Sequence, residues 1–242
     1  MAYWITGAGH FPGIGSAVAL QLLKNNKKVV INSRNIDDIW YDYKKQYNDN
    51  LQIVKGDITD PKIQDEFLSY YYDFKNFNGL INNASTVGQY TNPTREDWNK
   101  EFLINVIVPY ELSLKAKNYL SESKGSIVNI GSRVGLQIAP SHNMVYGITK
   151  SAEHQLTQSM AVEFAPYIRV NALLPGCFVS ARLEQKFGEN TEKIVYNYRN
   201  KSLLNSTIDE IEIVKAVIFL LENTNITGQL LPICNGASLN LA

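Results

Sequence analysis

The sequence has few of the features that mark secreted, metal-binding or membrane-spanning proteins. Cysteine is scarce: Cys177 and Cys234 are the only two in 242 residues. Two isolated thiols build neither a disulfide framework nor a zinc site, so we expect no metal and interpret both as small apolar residues. No apolar run reaches transmembrane length. Because the first structured residues are predicted to begin at Tyr3, directly after Met1-Ala2, we expect no cleavable signal and a cytoplasmic protein.

An excess of charge of either sign is also missing. Lys plus Arg number 23 and Asp plus Glu number 23, so the formal net charge is zero. This balance provides no electrostatic footprint for a nucleic acid or an anionic membrane, and we expect neither as a partner. A chain of this length fits one α/β domain with a single large core.

The sequence does contain short β-branched segments that alternate with longer segments of helical period. Apolar residues recur at helical spacing at Ile14, Ala17, Val18 and Leu22, and again from Trp98 to Tyr110, which predicts one helix with Pro109 inside it. The predicted strands are Trp4–Thr6, Lys28–Ser33, Gln52–Val54, Gly79–Asn82, Ser126–Ile130, Ile168–Leu174 and Gln229–Ile233. Near-continuous apolar strands separated by helices favour a parallel sheet covered on both faces. We therefore predict a single α/β domain over residues 1–242, a doubly wound, Rossmann-like sheet of about seven strands.

One segment interrupts the alternation. Between Ser180 and Thr207 the composition turns polar and mixed in charge, with Gly188 and Asn190 inside it. Ligands of α/β sheets bind outside the carboxyl ends of strands, and this segment follows such an end. We predict that residues 180–207 form a substrate lid, with a surface excursion as the alternative. Its five basic residues against three acids fit an anionic substrate, and a solvated surface equally well.

The turn after the first predicted strand is rich in glycine. It reads T-G-A-G-H-F-P-G-I-G over residues 6–15 and leads into a helix. Glycines let the backbone approach a pyrophosphate, and the N-terminus of the helix adds free N–H groups and the positive end of its dipole. We interpret this turn as a dinucleotide phosphate site formed by Gly7, Gly9, Gly13, Ile14 and Gly15.

The end of the second strand indicates which dinucleotide binds. It reads Ile31-Asn32-Ser33-Arg34, with no carboxylate to hold a ribose 2′-hydroxyl. A guanidinium suits a 2′-phosphate, so Ser33 and Arg34 favour NADPH over NAD, although a solvated Arg is the plain alternative.

Two further strand ends are predicted to meet the cofactor. After the third strand, the carboxylate of Asp57 is expected to accept a hydrogen bond from the adenine amino group, with Ile58 beside it. The alternative is that Asp57 only caps the next helix. Asn83 and Ala84 follow the fourth strand at the expected crevice, where small side chains permit close approach of the cofactor.

Tyr146 and Lys150 are four residues apart in a predicted helix, so they share one face. A free phenol, with a pKa near 10, is a poor acid or base at neutral pH, and a nearby ammonium favours the phenolate. Lys150 is predicted to supply that ammonium and to bind the nicotinamide ribose. Ser132, at the end of the fifth strand, is predicted to hold a substrate carbonyl oxygen beside Tyr146.

Over essentially its whole length the sequence resembles the short-chain dehydrogenase/reductase family. The resemblance implies that Tyr146 is the general acid, that Lys150 tunes it, that Ser132 orients the substrate and that Asn105 supports a proton-relay water. It also implies a homodimer or homotetramer, with Pro175, Gly176, Phe178 and Ser180 flanking the nicotinamide and its phosphates. The motifs that carry it are the Gly-rich turn, Asp57, Asn82-Asn83-Ala84-Ser85, Asn105, Ser132, Tyr146 to Lys150, Asn171 to Gly176 and Thr227-Gly228-Gln229.

The Gly-rich turn departs from the family pattern in length. Five residues separate Gly7 from Gly13, where the family usually has three, and Pro12 has no N–H to donate. How this turn contacts phosphate is therefore left open.

These residues favour an NADPH-dependent reductase of a ketone or aldehyde that runs reversibly as an alcohol dehydrogenase. Reduction of 3-oxoacyl thioesters and of pteridines are the alternatives. Ser85 resembles the pteridine-reductase branch, but Ser132 opposes that reading because the branch has an acid there. Enoyl reduction is disfavoured, since that class spaces Tyr and Lys more widely. A catalytically silent NADP-binding sensor would leave an intact set of catalytic residues without a use.

Overall fold

The computed structural model describes residues 1–139 and 141–239. Its strands form one parallel seven-stranded sheet in the order β3-β2-β1-β4-β5-β6-β7. The predicted doubly wound sheet is confirmed. The strands are β1 (Ala2–Thr6), β2 (Lys28–Ser33), β3 (Leu51–Lys55), β4 (Phe77–Asn82), β5 (Ser126–Ile130), β6 (Arg169–Pro175) and β7 (Leu230–Ile233).

Helices cover both faces of this sheet. Alternate residues of β1 show why: Tyr3 and Ile5 belong to one apolar cluster and Ala2 and Trp4 to another, as the period of a strand requires. The helices are α1 (Ile14–Lys24), α2 (Ile39–Tyr47), α3 (Pro61–Ser69), α4 (Tyr71–Phe74), α5 (Arg95–Phe102), α6 (Val108–Glu122), α7 (Met144–Phe164), α8 (Ala181–Phe187), α9 (Thr191–Lys201) and α10 (Glu210–Glu222).

The order of the strands determines where a ligand can bind. From β1 the chain continues to β2 on one side, whereas β4 pairs with β1 on the other side. The connections therefore leave the carboxyl ends of β1 and β4 in opposite directions, which opens a crevice between them. The loops after these strands and after β2, β5 and β6 carry most of the predicted site residues.

The single helix predicted through Pro109 is wrong in one respect. A π-helical turn, Leu103–Ile107, joins α5 to α6, and the N–H of Val108 donates to the carbonyl of Leu103, five residues back. Pro109 has no N–H for the carbonyl of Asn105, so a regular α-helical bond is impossible at this point. Asn105 lies inside the wide turn.

Candidate active site

Tyr146 and Lys150 lie in the first two turns of α7, as the spacing predicts. The side chain of Lys150 is fully buried, and its Nζ lies 5.9 Å from the centre of the Tyr146 ring. Ser132 follows β5 and lines the same cavities as Tyr146. Its Oγ accepts a hydrogen bond from the N–H of Val134 at 3.2 Å, which makes Ser132 the cap of a short 3₁₀ helix. The fold thus brings together three of the four predicted catalytic residues.

Lys150 is held by an ion pair that the sequence reasoning missed. Its Nζ donates to Oε2 of Glu153 at 2.7 Å and to the carbonyl of Ile130 at 2.9 Å. Both charged side chains are only 2% exposed. Burial raises the pKa of Glu153, and the ammonium of Lys150 opposes that rise. The sequence signal that could have indicated this pair is an acid three residues after Lys150, on a helix face that also carries Thr157 and Met160.

Asn105 lies behind these residues and does not line the cavities at the site. Its Nδ2 donates to the carbonyl of Thr86 and to Oγ1 of Thr149, both at 3.0 Å, and its Oδ1 accepts from the N–H of Thr86 at 2.9 Å. Thr149 in turn donates to the carbonyl of Tyr146 at 2.8 Å. Asn105 therefore ties the loop after β4 to the turn of α7 that carries the tyrosine and the lysine.

His154 packs beneath the loop that carries Ser132. A Cβ on Gly131 would lie 2.9 Å from its Nε2, and one on Gly135 would lie 2.6 Å from its Cε1. Burial, and to a smaller extent the positive charge of Lys150, lowers the pKa of His154 to about 4. A hydrogen bond with the backbone of Ser132 acts in the opposite direction. The imidazole is therefore neutral in the folded protein at neutral pH.

This burial predicts a dependence of stability on pH. The depressed pKa means that unfolded chains take up a proton below pH 6.5, whereas the folded chain does so only near pH 4. The free energy of unfolding should fall by up to about 3 kcal/mol over that interval because of this residue. Denaturant unfolding at several pH values should show that the free energy of unfolding depends less steeply on pH in His154→Leu than in the wild-type protein. The exposed His142, changed to Leu, is the matched control, and equal slopes in wild type and His154→Leu would contradict the prediction.

Two adjoining cavities form a cleft along the carboxyl ends of the strands. Both are lined by Gly7, His10 and Arg34. One, of about 310 Å³, adds Ser33, Asp57, Ile58 and Ala84. The other, of about 380 Å³, adds Gly13, Ile14, Asn83, Ser132, Tyr146, Lys150, Pro175, Gly176, Phe178 and Ser180. Of the predicted cofactor residues, only Gly9 and Gly15 do not line the cleft.

The glycines of the first turn mainly allow the chain to pack on itself. Gly7 has a φ of +66°, and a Cβ there would lie 2.7 Å from Cα of Ala84. At Gly9 a Cβ would meet the carbonyl oxygen of Asn35 at 1.9 Å, and at Gly15 it would meet Nδ2 of Asn83 at 2.6 Å. Close packing here holds the N-terminus of α1, with its N–H groups, at the edge of the cleft.

The lengthened part of this turn is held by Asp37, another residue that the sequence reasoning missed. Its Oδ1 lies 2.7 Å from Nδ1 of His10, and its Oδ2 accepts from the N–H of Phe11 at 2.8 Å. Phe11 packs against Trp40 with ring centres 5.1 Å apart. The two extra residues are thus anchored to the segment after β2, and His10 lies between the two halves of the cleft.

Arg34 and Asp57 face each other across one end of the cleft. Nη1 of Arg34 lies 3.9 Å from Oδ2 of Asp57, and the two side chains are 71% and 44% exposed. Oδ1 of Asp57 accepts from the N–H and the hydroxyl of Thr59, whereas the cap of α3 is Asp60. The alternative role for Asp57, a cap of α3, is therefore filled by another residue.

A larger cavity, of about 720 Å³, adjoins the cleft at Ser132 and Tyr146. Its other side is formed by the segment predicted as a lid, which folds into α8, a 3₁₀ turn and α9. Leu183, Phe187 and Ile194 from this segment line the cavity. The predicted catalytic residues therefore lie where the cleft and this cavity meet.

Neither a metal site nor a membrane-spanning helix is found in the part of the chain that the structure describes. Among these residues, no three His, Cys, Asp or Glu side chains are grouped in a way that could hold a metal ion. Nor does any helix among them combine the length and apolar character needed to cross a membrane. The cysteines are free thiols: Cys234 is buried and Cys177 lines the large cavity.

Comparison with known proteins identifies the family. Residues 7–238 match the family model described as Enoyl-(Acyl carrier protein) reductase, a model of short-chain dehydrogenases/reductases. An uncharacterized oxidoreductase of Thermotoga maritima is 30% identical over 245 residues, which span 97% of this chain and 96% of that protein. The chain belongs to the short-chain dehydrogenase/reductase family.

Solved structures support the same assignment. The structure of ElxO with NADP bound is 30% identical, with a TM-score of 0.84 and 98% of each chain covered. Aldohexose dehydrogenase of Thermoplasma acidophilum is 25% identical, with a TM-score of 0.84, over 98% of this chain and 94% of that one. A 4-hydroxyisoleucine dehydrogenase complexed with NADH is 26% identical, with a TM-score of 0.87 and 98% of each chain covered. The chain is thus an oxidoreductase of a family that acts on CH–OH and C=O groups.

Proposed function

We propose that this protein reduces a ketone or aldehyde with NADPH, and reversibly oxidises the alcohol, with Tyr146 as the general acid. One observation carries the proposal: Tyr146 and Ser132 line both the cleft and the large cavity. A substrate carbonyl in that cavity would lie next to the nicotinamide end of a bound cofactor. The family membership and the dehydrogenases among the related structures support this reaction class.

The residues present fit a nicotinamide dinucleotide. The glycine-rich turn and α1 would hold the phosphates, Lys150 the ribose, and Pro175 and Gly176 the nicotinamide. When bound, the cofactor supplies the hydride that goes to the carbonyl carbon.

The protein's own part in the reaction is to hold the substrate and move a proton. The hydroxyl of Ser132 donates to the carbonyl oxygen, and the hydroxyl of Tyr146 gives it a proton as negative charge develops there. The ammonium of Lys150, held by Glu153 and the carbonyl of Ile130, stabilises the phenolate that remains. In the oxidative direction the same phenolate takes the proton from the alcohol.

A preference for NADPH rests on Arg34. This guanidinium lines both halves of the cleft, and no carboxylate stands at the end of β2 to hold a 2′-hydroxyl or repel a 2′-phosphate. The related structures include one with NADP and one with NADH, so they do not select between the two cofactors.

Replacing Arg34 with alanine should weaken NADPH binding by about tenfold or more and leave NADH binding nearly unchanged. A charge-assisted hydrogen bond to the 2′-phosphate is lost only with NADPH, and such a bond is worth roughly 1.5–3 kcal/mol. Fluorescence titration with each cofactor measures both affinities. Arg95→Ala, which removes an exposed arginine at the start of α5, is the control. Equal losses for both cofactors would leave Arg34 with a structural role only, and a wild-type preference for NADH would refute the assignment.

A screen of carbonyl compounds with NADPH and NADH in parallel tests the reaction itself. We expect oxidation of NADPH by ketones or aldehydes. Turnover of 3-oxoacyl thioesters or of pteridines would select one of the alternatives. Enoyl reduction would contradict the close spacing of Tyr146 and Lys150. Cofactor binding without any turnover would favour the silent sensor.

The expected assembly is a homodimer or homotetramer. Apolar side chains that are three or four residues apart, and so at helical spacing, are exposed on the π turn and α6, namely Leu103, Ile107, Tyr110 and Leu114. A surface of this kind fits a contact between copies of the chain. Light scattering of the purified protein gives the number of copies, and a monomer would contradict the proposal.

A further inference from the structure

The large cavity carries positive charge that carbonyl reduction by itself does not require. Arg133 and Lys201 line it, and among the described residues that line it there is no Asp or Glu. Arg133 directly follows Ser132, the residue assigned to the substrate carbonyl. The cation and the residues assigned to the carbonyl therefore line the same cavity.

The side chain of Arg133 is held in place by two contacts. Its Nη1 donates to Oε1 of Gln137 at 2.7 Å, and its guanidinium lies 5.2 Å from the centre of the Tyr198 ring. Gln137 is itself anchored, because its Nε2 donates to the carbonyls of Ala237 and Ser238 at 3.2 and 2.9 Å. The hydroxyl of Tyr198 donates to the carbonyl of Cys234 at 2.7 Å. The C-terminal segment thus fixes both groups that position the guanidinium.

No carboxylate neutralises this guanidinium within residues 1–139 and 141–239. None of the ion pairs found there includes Arg133. An arginine has five N–H donors, and one of them goes to Gln137. The charge of Arg133 acts on Cys177, which lines the same cavity: burial raises the pKa of the Cys177 thiol, and Arg133 opposes that rise. A half-buried arginine with donors to spare and no acid beside it is suited to an anionic ligand.

We infer that the substrate is an oxo acid, whose carboxylate binds to Arg133 while its carbonyl lies against Ser132 and Tyr146. This inference rests on the proposed function and names the substrate class of the same site. The planar guanidinium can donate two parallel hydrogen bonds to a carboxylate, and a hydrophobic pocket alone would not select an anion. The carbonyl carbon gains a hydride and its oxygen a proton, giving a hydroxy acid, and the carboxylate remains unchanged.

A comparison of charged and neutral substrates tests the inference. Each member of a series of α-, β- and γ-oxo acids is assayed with NADPH beside its own methyl ester. The wild-type protein should prefer the acid in kcat/KM by about tenfold or more. Arg133→Gln should lower kcat/KM for the acid by roughly 10- to 150-fold, the value of a charged hydrogen bond, and change that for the ester by only a few-fold. Arg133→Lys should keep part of the preference for the acid, since it keeps the positive charge but cannot donate two parallel hydrogen bonds from a planar group.

Two further variants separate the role of Arg133 from general effects of charge and folding. Arg199→Gln removes an exposed cation on the same helix as Tyr198 but outside the cavity, and it should leave the preference unchanged. Gln137→Leu leaves the guanidinium in place but removes its anchor. It should raise KM for the acid more than for the ester, and it provides a second test if Arg133→Gln does not fold. A carbonyl-bearing phosphate monoester is included to distinguish a phosphate from a carboxylate as the anion.

The outcomes separate this inference from the proposed function. If the wild-type protein reduces esters as well as acids, the substrate class is wrong and carbonyl reduction stands. The same holds if Arg133→Gln lowers kcat/KM for the acid and for the ester equally. If only the phosphate monoester depends on Arg133, the carboxylate assignment is overturned. If no carbonyl compound is reduced at all, the proposed function fails, and this inference fails with it.

Discussion

Replacing Tyr146 with phenylalanine is expected to lower kcat by roughly 10²–10⁴-fold, the usual contribution of a positioned acid or base. Affinity for NADPH should stay within a few-fold, because the hydroxyl serves the transition state rather than the bound cofactor. The ring itself, which lies against the ammonium of Lys150, is retained. Steady-state turnover and a separate fluorescence titration of NADPH measure the two quantities.

The control for this variant is Tyr196→Phe. Tyr196 is 64% exposed and lies on α9 outside the cavities at the site, so removal of its hydroxyl should change neither quantity. A near-normal kcat in Tyr146→Phe would show that another group supplies the proton. A large loss of NADPH affinity would instead give the hydroxyl a role in binding.

Replacing Glu153 with leucine is expected to lower the free energy of unfolding by about 3–5 kcal/mol. Lys150 and Glu153 are each only 2% exposed, and their charged atoms are 2.7 Å apart. Removal of the carboxylate leaves an ammonium buried without a counter-charge, which is far more costly than the loss of the attraction alone. Denaturant unfolding followed by far-UV circular dichroism measures the effect.

Two variants show whether burial is the cause. Glu212→Leu breaks the Lys215–Glu212 pair, which is 2.6 Å long but more than half exposed, and should cost under about 1 kcal/mol. The double variant Lys150→Met with Glu153→Leu removes both charges and should recover most of the lost stability, although it cannot be active. A loss in Glu153→Leu no greater than that in Glu212→Leu would refute the buried pair as a stabilising unit.

Several predicted site residues lie close together in the structure because of the regular repeats of helices and strands. Tyr146 and Lys150 share a face because a helix repeats every 3.6 residues, and that holds wherever the helix packs. Ser33, Arg34 and Asp57 reach one cavity because the carboxyl ends of parallel strands meet at one edge of the sheet. The segment predicted as a lid differs from the rest of the chain in composition, and Leu183, Phe187 and Ile194 from it line the large cavity.

The residues that were missed depend on contacts between distant segments. Asp37 reaches back 27 positions to His10, and Gln137 reaches 100 and 101 positions forward to Ala237 and Ser238. Nothing in the local sequence of either residue indicates its partner. Glu153 is different: Lys150 is only three positions away, but the sequence does not tell that this face of α7 is buried against β5.

Local sequence patterns predicted the strands and their order along the chain, since apolar period, glycine and proline act over a few residues. The sequence also determined which chemical groups the site contains, because the motifs carry them. Tertiary packing set the environment of these groups: Lys150 is buried with a carboxylate, Asn105 supports the site from behind, and Arg133 lines the cavity with no acid among the described residues that line it. Burial and charge compensation arise when segments far apart in the chain pack together, and local patterns contain no record of that packing.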